Sequence, residues 1–255
     1  MTAPPDAGLL STYLLRLADD LLINAQRLSE FMTRGPELEE ELAIANIALD
    51  NLGVAQQLYE YVSKLGGAAR SADEIAFLRS EREFTNCLLV EQPHDDFADV
   101  MARQFFLDAW HCELWPALES SADSVLAAVA AKAAKEARYH FRHSAGWVIR
   151  LGDGTDESSV RIQRAISTLW KFTGELTAGD AIDRQSAAAG IGADPAVLGD
   201  SWRQRVGEML DEAGLAVPDD PYQATGGRTG RHTEHLGHLL AEMQFMQRAY
   251  PGMEW

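Results

Sequence analysis

The chain has 255 residues, a hydrophobic content of 46%, a charged content of 24% and a formal net charge of −17 at pH 7. This length allows one large domain or two small ones, with a substantial buried core in either case. The strong negative charge argues against a nucleic-acid partner, because phosphate groups would be repelled. No apolar run approaches the ~20 residues of a membrane-spanning helix, so we expect no membrane span.

The two cysteines, Cys87 and Cys112, lie in sequence with helical character. Residues 1–8 lack the basic and apolar regions of a signal peptide. We therefore expect a reduced, cytoplasmic protein. Long segments with the alternating apolar and polar residues of strands are absent from the sequence, and the predicted class is all-α.

Apolar residues recur at helical spacing in seven segments, which Gly and Pro residues separate. The predicted helices are Leu9–Met32, Glu37–Leu65, Phe97–Leu118, a fourth from the Ser120–Ser124 turn to Leu151, a fifth capped by Thr155 or Ser158 and ending at Thr177, Asp194–Asp211 and Thr233–Tyr250. Shorter helical pieces are expected in Asp73–Arg82 and Phe84–Val90.

The order helix, short turn, helix, long crossover, helix, short turn, helix is the connectivity of ferritin-like four-helix bundles. We therefore predict a single ferritin-like domain over 1–255. It would comprise a tail at 1–8, a core bundle at 9–151, and additional helices with a C-terminal arm at 152–255.

Each of the four bundle helices carries an acid on its expected inward face. Counted outward from the two hairpin turns, Asp50 lies beside Asp20, and Glu136 lies beside Asp108. Ferritin-like di-iron proteins place a Glu on each of the four helices, and two of these begin a Glu-x-x-His motif. Four acids at matching depths therefore point to that kind of site.

Other details count against a working site. Three of the four acids are Asp, which is one methylene shorter than Glu. Gly53 stands where the second helix would supply His, and Tyr139 stands where the fourth would. Glycine supplies no ligand, and a phenol is a poor replacement for imidazole on ferrous iron. We predict vestigial metal positions, no metal or cofactor in this chain, and acids held by hydrogen bonds and cations such as Lys132.

Two histidines are weaker candidate ligands. His111 follows Asp108 by three residues, and His140 follows Glu136 by four. The preferred interpretation is a hydrogen-bonded Asp–His couple in the first case and an internal ion pair in the second.

The C-terminal arm carries candidate partner-binding residues. His232 and His235 resemble part of a metal cluster, but histidines at this spacing are common on amphipathic helices, and a docking surface is the preferred interpretation. Met253 and Trp255 follow a Pro-Gly pair and are also predicted to contact a partner.

Sequence blocks spread along nearly the whole chain resemble one known family, the C subunit of the bacterial phenylacetyl-CoA epoxidase (ring 1,2-epoxidase). Together the blocks are specific, whereas any one alone would be weak. They are Pro36–Glu39, Ala45–Asp50, Leu88–Pro93, Phe97–Asp99, Asp108–His111, Lys135–His140, Gly152–Asp156, His232–Gly237 and Ala241–Gln244.

The resemblance implies a place in a multicomponent monooxygenase of aerobic phenylacetate degradation. In that family the catalytic A subunit, a sister ferritin-like protein, carries the di-iron centre and binds the CoA thioester. The C subunit is its non-catalytic partner, which pairs with it and keeps it folded and soluble. The small B subunit joins the assembly, and a reductase with FAD and an iron–sulfur cluster delivers electrons from NADPH.

Two interpretations of function therefore stay open. The first is a structural subunit of an oxygenase that acts on an aromatic CoA thioester. The alternative is a metal-binding ferritin-like oxidase or oxygenase in its own right, whose ligands would be Asp20, Asp50, Asp108 and Glu136 with His111 and His140.

Overall fold

The structure, a computed structural model, describes residues 7–67 and 69–253. All regular secondary structure in these residues is helical, as predicted. None of the described helices is long and apolar enough to cross a membrane. The helices are α1 (Ala7–Phe31), α2 (Leu38–Leu65), α3 (Ala72–Phe77), α4 (Phe97–Leu118), α5 (Ser124–Gly152), α6 (Asp156–Trp170), α7 (Gly174–Thr177), α8 (Ala181–Ala188), α9 (Pro195–Glu212), α10 (Glu234–Met243) and α11 (Phe245–Ala249).

The long helices begin and end close to their predicted positions, but two shorter predictions were wrong. Phe84–Val90 is not helical, because the backbone N–H groups of Thr85 and Cys87 donate to acids on α1 instead of to carbonyls of the same segment. The predicted fifth helix stops at Trp170 instead of continuing to Thr177. Helix α8, which was not predicted, begins at a cap in which Asp180 accepts hydrogen bonds from two backbone N–H groups.

The described residues form two compact units, one of residues 94–225 and one of residues 7–93 with 226–253. The single-domain assignment stays a prediction. In the second unit α1 and α2 pack as a hairpin, with Leu14, Leu21 and Leu28 of α1 fully buried. Polar residues on the other faces of α1 are buried as well, because residues 79–91 and the chain after Gly226 cover them.

In the unit of residues 94–225, α4 lies between α5, α6 and α9. Phe106, Trp170 and Trp202 come from three of these helices, and their ring centroids lie 5.8 to 6.1 Å apart. The Trp202 indole N–H donates to the carbonyl of Phe106 over 3.1 Å. The aromatic cluster therefore fixes α6 and α9 on α4 by apolar packing and one directed hydrogen bond.

Candidate functional site

The first predicted metal position, Asp20, is buried on α1 and is bound to a cation. Its carboxylate accepts hydrogen bonds from the Arg228 guanidinium at 3.0 and 2.8 Å and from the backbone N–H of Cys87 at 2.7 Å. Burial raises the pKa of Asp20, and Arg228 opposes that rise. The side chain therefore anchors the C-terminal arm within its own unit.

The second position lies on α2, whose buried face differs from the predicted one. Asp50 is half-buried at the edge of that face, whereas its neighbour Asn51 is buried. Gly53 is also half-buried, and a Cβ added to it would meet nothing within 4 Å. The buried face of α2 is centred nearer Asn51 than Asp50, so neither Asp50 nor Gly53 is fully buried.

The third position, Asp108 on α4, is fully buried in the unit of residues 94–225. It accepts a hydrogen bond from the Gln104 amide at 2.6 Å, and its other oxygen lies 2.7 Å from the Ser144 hydroxyl. Burial raises the pKa of Asp108 to about 8, although both hydrogen bonds oppose the rise. The acid is therefore mostly protonated at neutral pH.

The surroundings of Ser144 suit a protonated Asp108. The Ser144 hydroxyl also lies 3.1 Å from the carbonyl oxygen of His140. The Asp108 carboxyl can thus donate its proton to Ser144, while Ser144 donates to the carbonyl. Asp108 does not hydrogen-bond to His111 within the described residues, so the predicted Asp–His couple was wrong.

The fourth position, Glu136 on α5, lies at the margin of the buried face. Its Oε1 is 3.4 Å from Nζ of Lys132, the predicted partner. Because Lys132 is largely exposed, this pair contributes little to stability. Tyr139 was predicted on the inward face, but it is 51% exposed, whereas His140 is buried. The ion pair between Glu136 and His140 stays a prediction.

His111 on α4 and His140 on α5 are both buried in this unit. Burial, followed by the proximity of His140, lowers the pKa of His111 to about 3. His111 is therefore a neutral imidazole, and its ring centroid lies 5.7 Å from that of Trp115. A neutral imidazole can ligate a metal, but a packed aromatic neighbour explains the same burial.

The donors do not fit a di-iron group, which needs several ionised carboxylates directed at the metals. The Asp20 carboxylate is held by a guanidinium, and Asp108 carries a proton. Within residues 7–67 and 69–253, no group of three or more His, Cys, Asp or Glu side chains is arranged to hold a metal ion. The metal content of the chain itself stays a prediction.

A further buried acid on α1, Asp19, was not singled out by the sequence. It accepts hydrogen bonds from the Tyr59 hydroxyl at 2.6 Å, from Arg79 Nη1 at 3.1 Å and from the Thr85 backbone N–H at 2.8 Å. Burial raises the pKa of Tyr59 well above its usual value, and the Asp19 charge adds to this. In the sequence, only the position of Asp19 next to Asp20 indicated that it is buried. No local pattern identified its hydrogen-bond partners.

His232 was predicted to bind a partner, but its side chain is fully buried in an internal ion pair. Nδ1 lies 2.8 Å from a Glu91 carboxylate oxygen, and Nε2 lies 3.0 Å from the Phe84 carbonyl oxygen. Both ring nitrogens face acceptors, so the imidazole is protonated. Burial lowers the pKa of His232, but these two acceptors outweigh it, and the net shift is upward.

Partner contacts by the other arm residues stay predictions. The backbone carbonyl of His235 accepts a hydrogen bond from Arg27 over 3.1 Å, and its side chain is not assigned to a partner. Met253 is 59% exposed, as expected of a contact residue. Trp255 lies outside the described residues.

Comparisons with known proteins agree with the resemblance seen in the sequence. Residues 4–255 match the profile of the family described as phenylacetic acid catabolic protein. The chain is also 50% identical over 246 residues to the C subunit of 1,2-phenylacetyl-CoA epoxidase from Escherichia coli (strain K12), which covers 96% of this chain and 99% of that protein. The family has the predicted ferritin-like fold. The chain therefore belongs to the phenylacetic acid catabolic protein family.

Proposed function

We propose that this chain is the non-catalytic structural subunit of a phenylacetyl-CoA epoxidase in aerobic phenylacetate degradation. It pairs with the di-iron catalytic subunit, the A subunit of the family, which it stabilises. The observation that carries this proposal is the 50% identity, over nearly the full length of both chains, to the C subunit of such an epoxidase. The engaged acids Asp20 and Asp108 support a non-catalytic role.

The proposed assembly has further components. The catalytic subunit holds the di-iron centre and the CoA thioester, and the small B subunit joins the pair. A separate reductase uses FAD and an iron–sulfur cluster to pass electrons from NADPH. This chain contributes no cofactor and supplies binding surface.

The outward face of α2 is the candidate surface for the catalytic subunit. Leu38, Leu42 and Leu49 are 67%, 56% and 64% exposed. At positions i, i+4 and i+11 they share one helix face and span about 17 Å. Leucines aligned along one exposed stripe are typical of a protein contact, since an obligate interface is apolar at its core.

Two other surfaces, α4 and the start of the C-terminal arm, offer less to a partner. Most of α4 is buried, so it offers little surface to a partner. Arg228 and His232 hold the start of the C-terminal arm to their own unit. The exposed apolar residues after Gln244 continue the arm and remain available for contact: Phe245, Met246, Tyr250 and Met253.

Coexpression with the tagged catalytic subunit tests the proposal. We expect the chain to copurify with that partner in constant ratio, with iron assigned to the partner and none to this chain purified alone. The variant L42E/L49E should weaken capture at least about tenfold, because two charges would enter an apolar contact. The control V160E/V197E changes two valines of similar exposure on α6 and α9 and should be captured normally.

Stoichiometric iron in the isolated chain would instead favour the metalloenzyme alternative. Failure of the unaltered chain to bind the catalytic subunit would refute the pairing itself. Equal capture of both double variants would refute only the placement of the contact on α2.

A further inference from the structure

Helix α5 carries an unusual charge for this acidic protein. In a chain with 39 acidic and 22 basic residues, α5 contains a single acid, Glu136. Its basic residues form what we call the basic stripe: Lys132, Lys135, Arg138, Arg142 and Arg150.

The basic stripe lies on one side of α5. At 100° per residue, the five positions fall within an arc of about 120°, opposite the buried face that holds Ala133, Ala137 and Ser144. All five side chains are exposed. From the first cation to the last the stripe is about 27 Å long.

Most of these charges are not neutralised by the protein itself. Lys132 has a partner in Glu136 at 3.4 Å. Arg142 lies over the Tyr139 ring and Arg150 over the Trp147 ring, which orients them without cancelling their charge. No ion pair with a described residue is formed by four members of the stripe: Lys135, Arg138, Arg142 and Arg150.

The C-terminal half of the stripe also allows close approach. Gly146 lies between the flanking cations on the same face, and a Cβ there would meet nothing within 4 Å. Tyr139 adds one half-exposed ring to that face. The surface therefore combines separated positive charges with one glycine and one aromatic ring.

We infer that the basic stripe docks the acidic face of a protein that binds and leaves repeatedly. Its cations are separated by one or two helical turns, which suits carboxylates along a helix or sheet edge. A compact phosphate ligand would meet only one or two of them. Nucleic acid is disfavoured by the net charge of −17. A solvated charged surface favours rapid, salt-sensitive encounter over permanent association.

The inference rests on the proposed function, and the partner to test is the reductase. Among the protein components, the reductase must bind the assembly again each time it delivers electrons. We would reconstitute the epoxidase with K135E/R142E and measure NADPH-dependent phenylacetyl-CoA turnover against reductase concentration. The control, R82E/R184E, makes the same change in net charge at exposed cations outside α2 and α5. Circular dichroism, together with capture on the tagged catalytic subunit, verifies that each variant folds and assembles.

We expect K135E/R142E to raise the KM for reductase at least about fivefold at physiological salt, with kcat unchanged. The difference from the unaltered protein should shrink at high salt. The control should change KM less than about twofold.

Equal effects of the two variants would show that only the net charge of the protein matters, not the position of the stripe, and would overturn the inference. An unchanged KM for reductase would do the same, as would loss of capture on the catalytic subunit, which would place α5 in the permanent interface. A raised KM for phenylacetyl-CoA alone would assign the stripe to the anionic substrate. Failure of the unaltered chain to assemble with the catalytic subunit would instead refute the proposed function.

Discussion

Replacing Asp108 by Asn should stabilise the protein at neutral pH. The wild-type acid is fully buried, and burial raises its pKa from 3.8 to about 8. The protonated carboxyl group can donate to Ser144, 2.7 Å away, and Gln104 donates to the other oxygen. Asn has the same shape and stays neutral, so it reproduces the protonated form without needing a proton from solution.

The sign follows from proton binding in the two states. Between pH 4 and pH 8 the folded protein holds a proton on Asp108 that the unfolded chain has lost, so the free energy of unfolding falls as pH rises. The slope is about 1.4 kcal/mol per pH unit, which amounts to about 4 kcal/mol by pH 7. The extra amide hydrogen of Asn costs about 1 to 2 kcal/mol if it finds no acceptor. Asp108→Asn should therefore gain roughly 2 to 3 kcal/mol at pH 7.

Urea unfolding of the isolated chain at pH 5, 6 and 7 measures this directly. The variant should be close to wild type at pH 5 and increasingly more stable above it. Ser144→Ala is the matched control, because it removes a hydrogen bond but keeps the titrating acid, and it should lose about 1 kcal/mol at every pH. Parallel pH profiles for wild type and Asp108→Asn would show that Asp108 is ionised in the folded protein and refute the reasoning.

Three further predictions concern other parts of the chain. Arg228→Ala should lower the free energy of unfolding by about 3 kcal/mol in thermal or urea melts, because it leaves Asp20 buried without its cation; an unchanged midpoint would contradict this. The double variant Gly53→His with Tyr139→His should bind no stoichiometric ferrous iron in equilibrium dialysis, because residue 139 faces solvent. Tight binding of iron would show that the exposure of residue 139 does not prevent it from acting as a ligand. Deleting Pro251–Trp255 should leave the melt unchanged while weakening capture on the catalytic subunit, with lower epoxidase activity as a result, and normal capture and activity would exclude the tail from the interface.

The helices themselves were predictable because helical periodicity is a local property of the sequence. Apolar spacing and capping residues placed α4 at Phe97–Leu118 and gave Thr155 as one of two possible caps of α6. The same spacing predicted a helix at Phe84–Val90, and this prediction was wrong. Backbone hydrogen bonds to acids on α1 are more favourable there than helix formation.

The orientation of individual side chains was less predictable. A helix buried on more than one side gives no sharp boundary between its faces, and an error of one residue turns a side chain by about 100°. His140 was predicted on the inward face and is buried, whereas Tyr139, predicted beside it, is exposed; on α2, Asn51 is buried and Asp50 is only half-buried. The four acids were found, but only Asp20 and Asp108 lie deep in the protein.

The sequence by itself determined the all-α class, the long helices, the family, and the lack of histidines at two expected metal positions. Each of these depends on residue identity and on spacing within one segment. Only the tertiary structure decided which charge each buried acid meets, since Asp20 and Arg228 are 208 residues apart. Such partners are chosen by the high cost of leaving a charge unpaired once the chain has collapsed, and no local pattern encodes that choice.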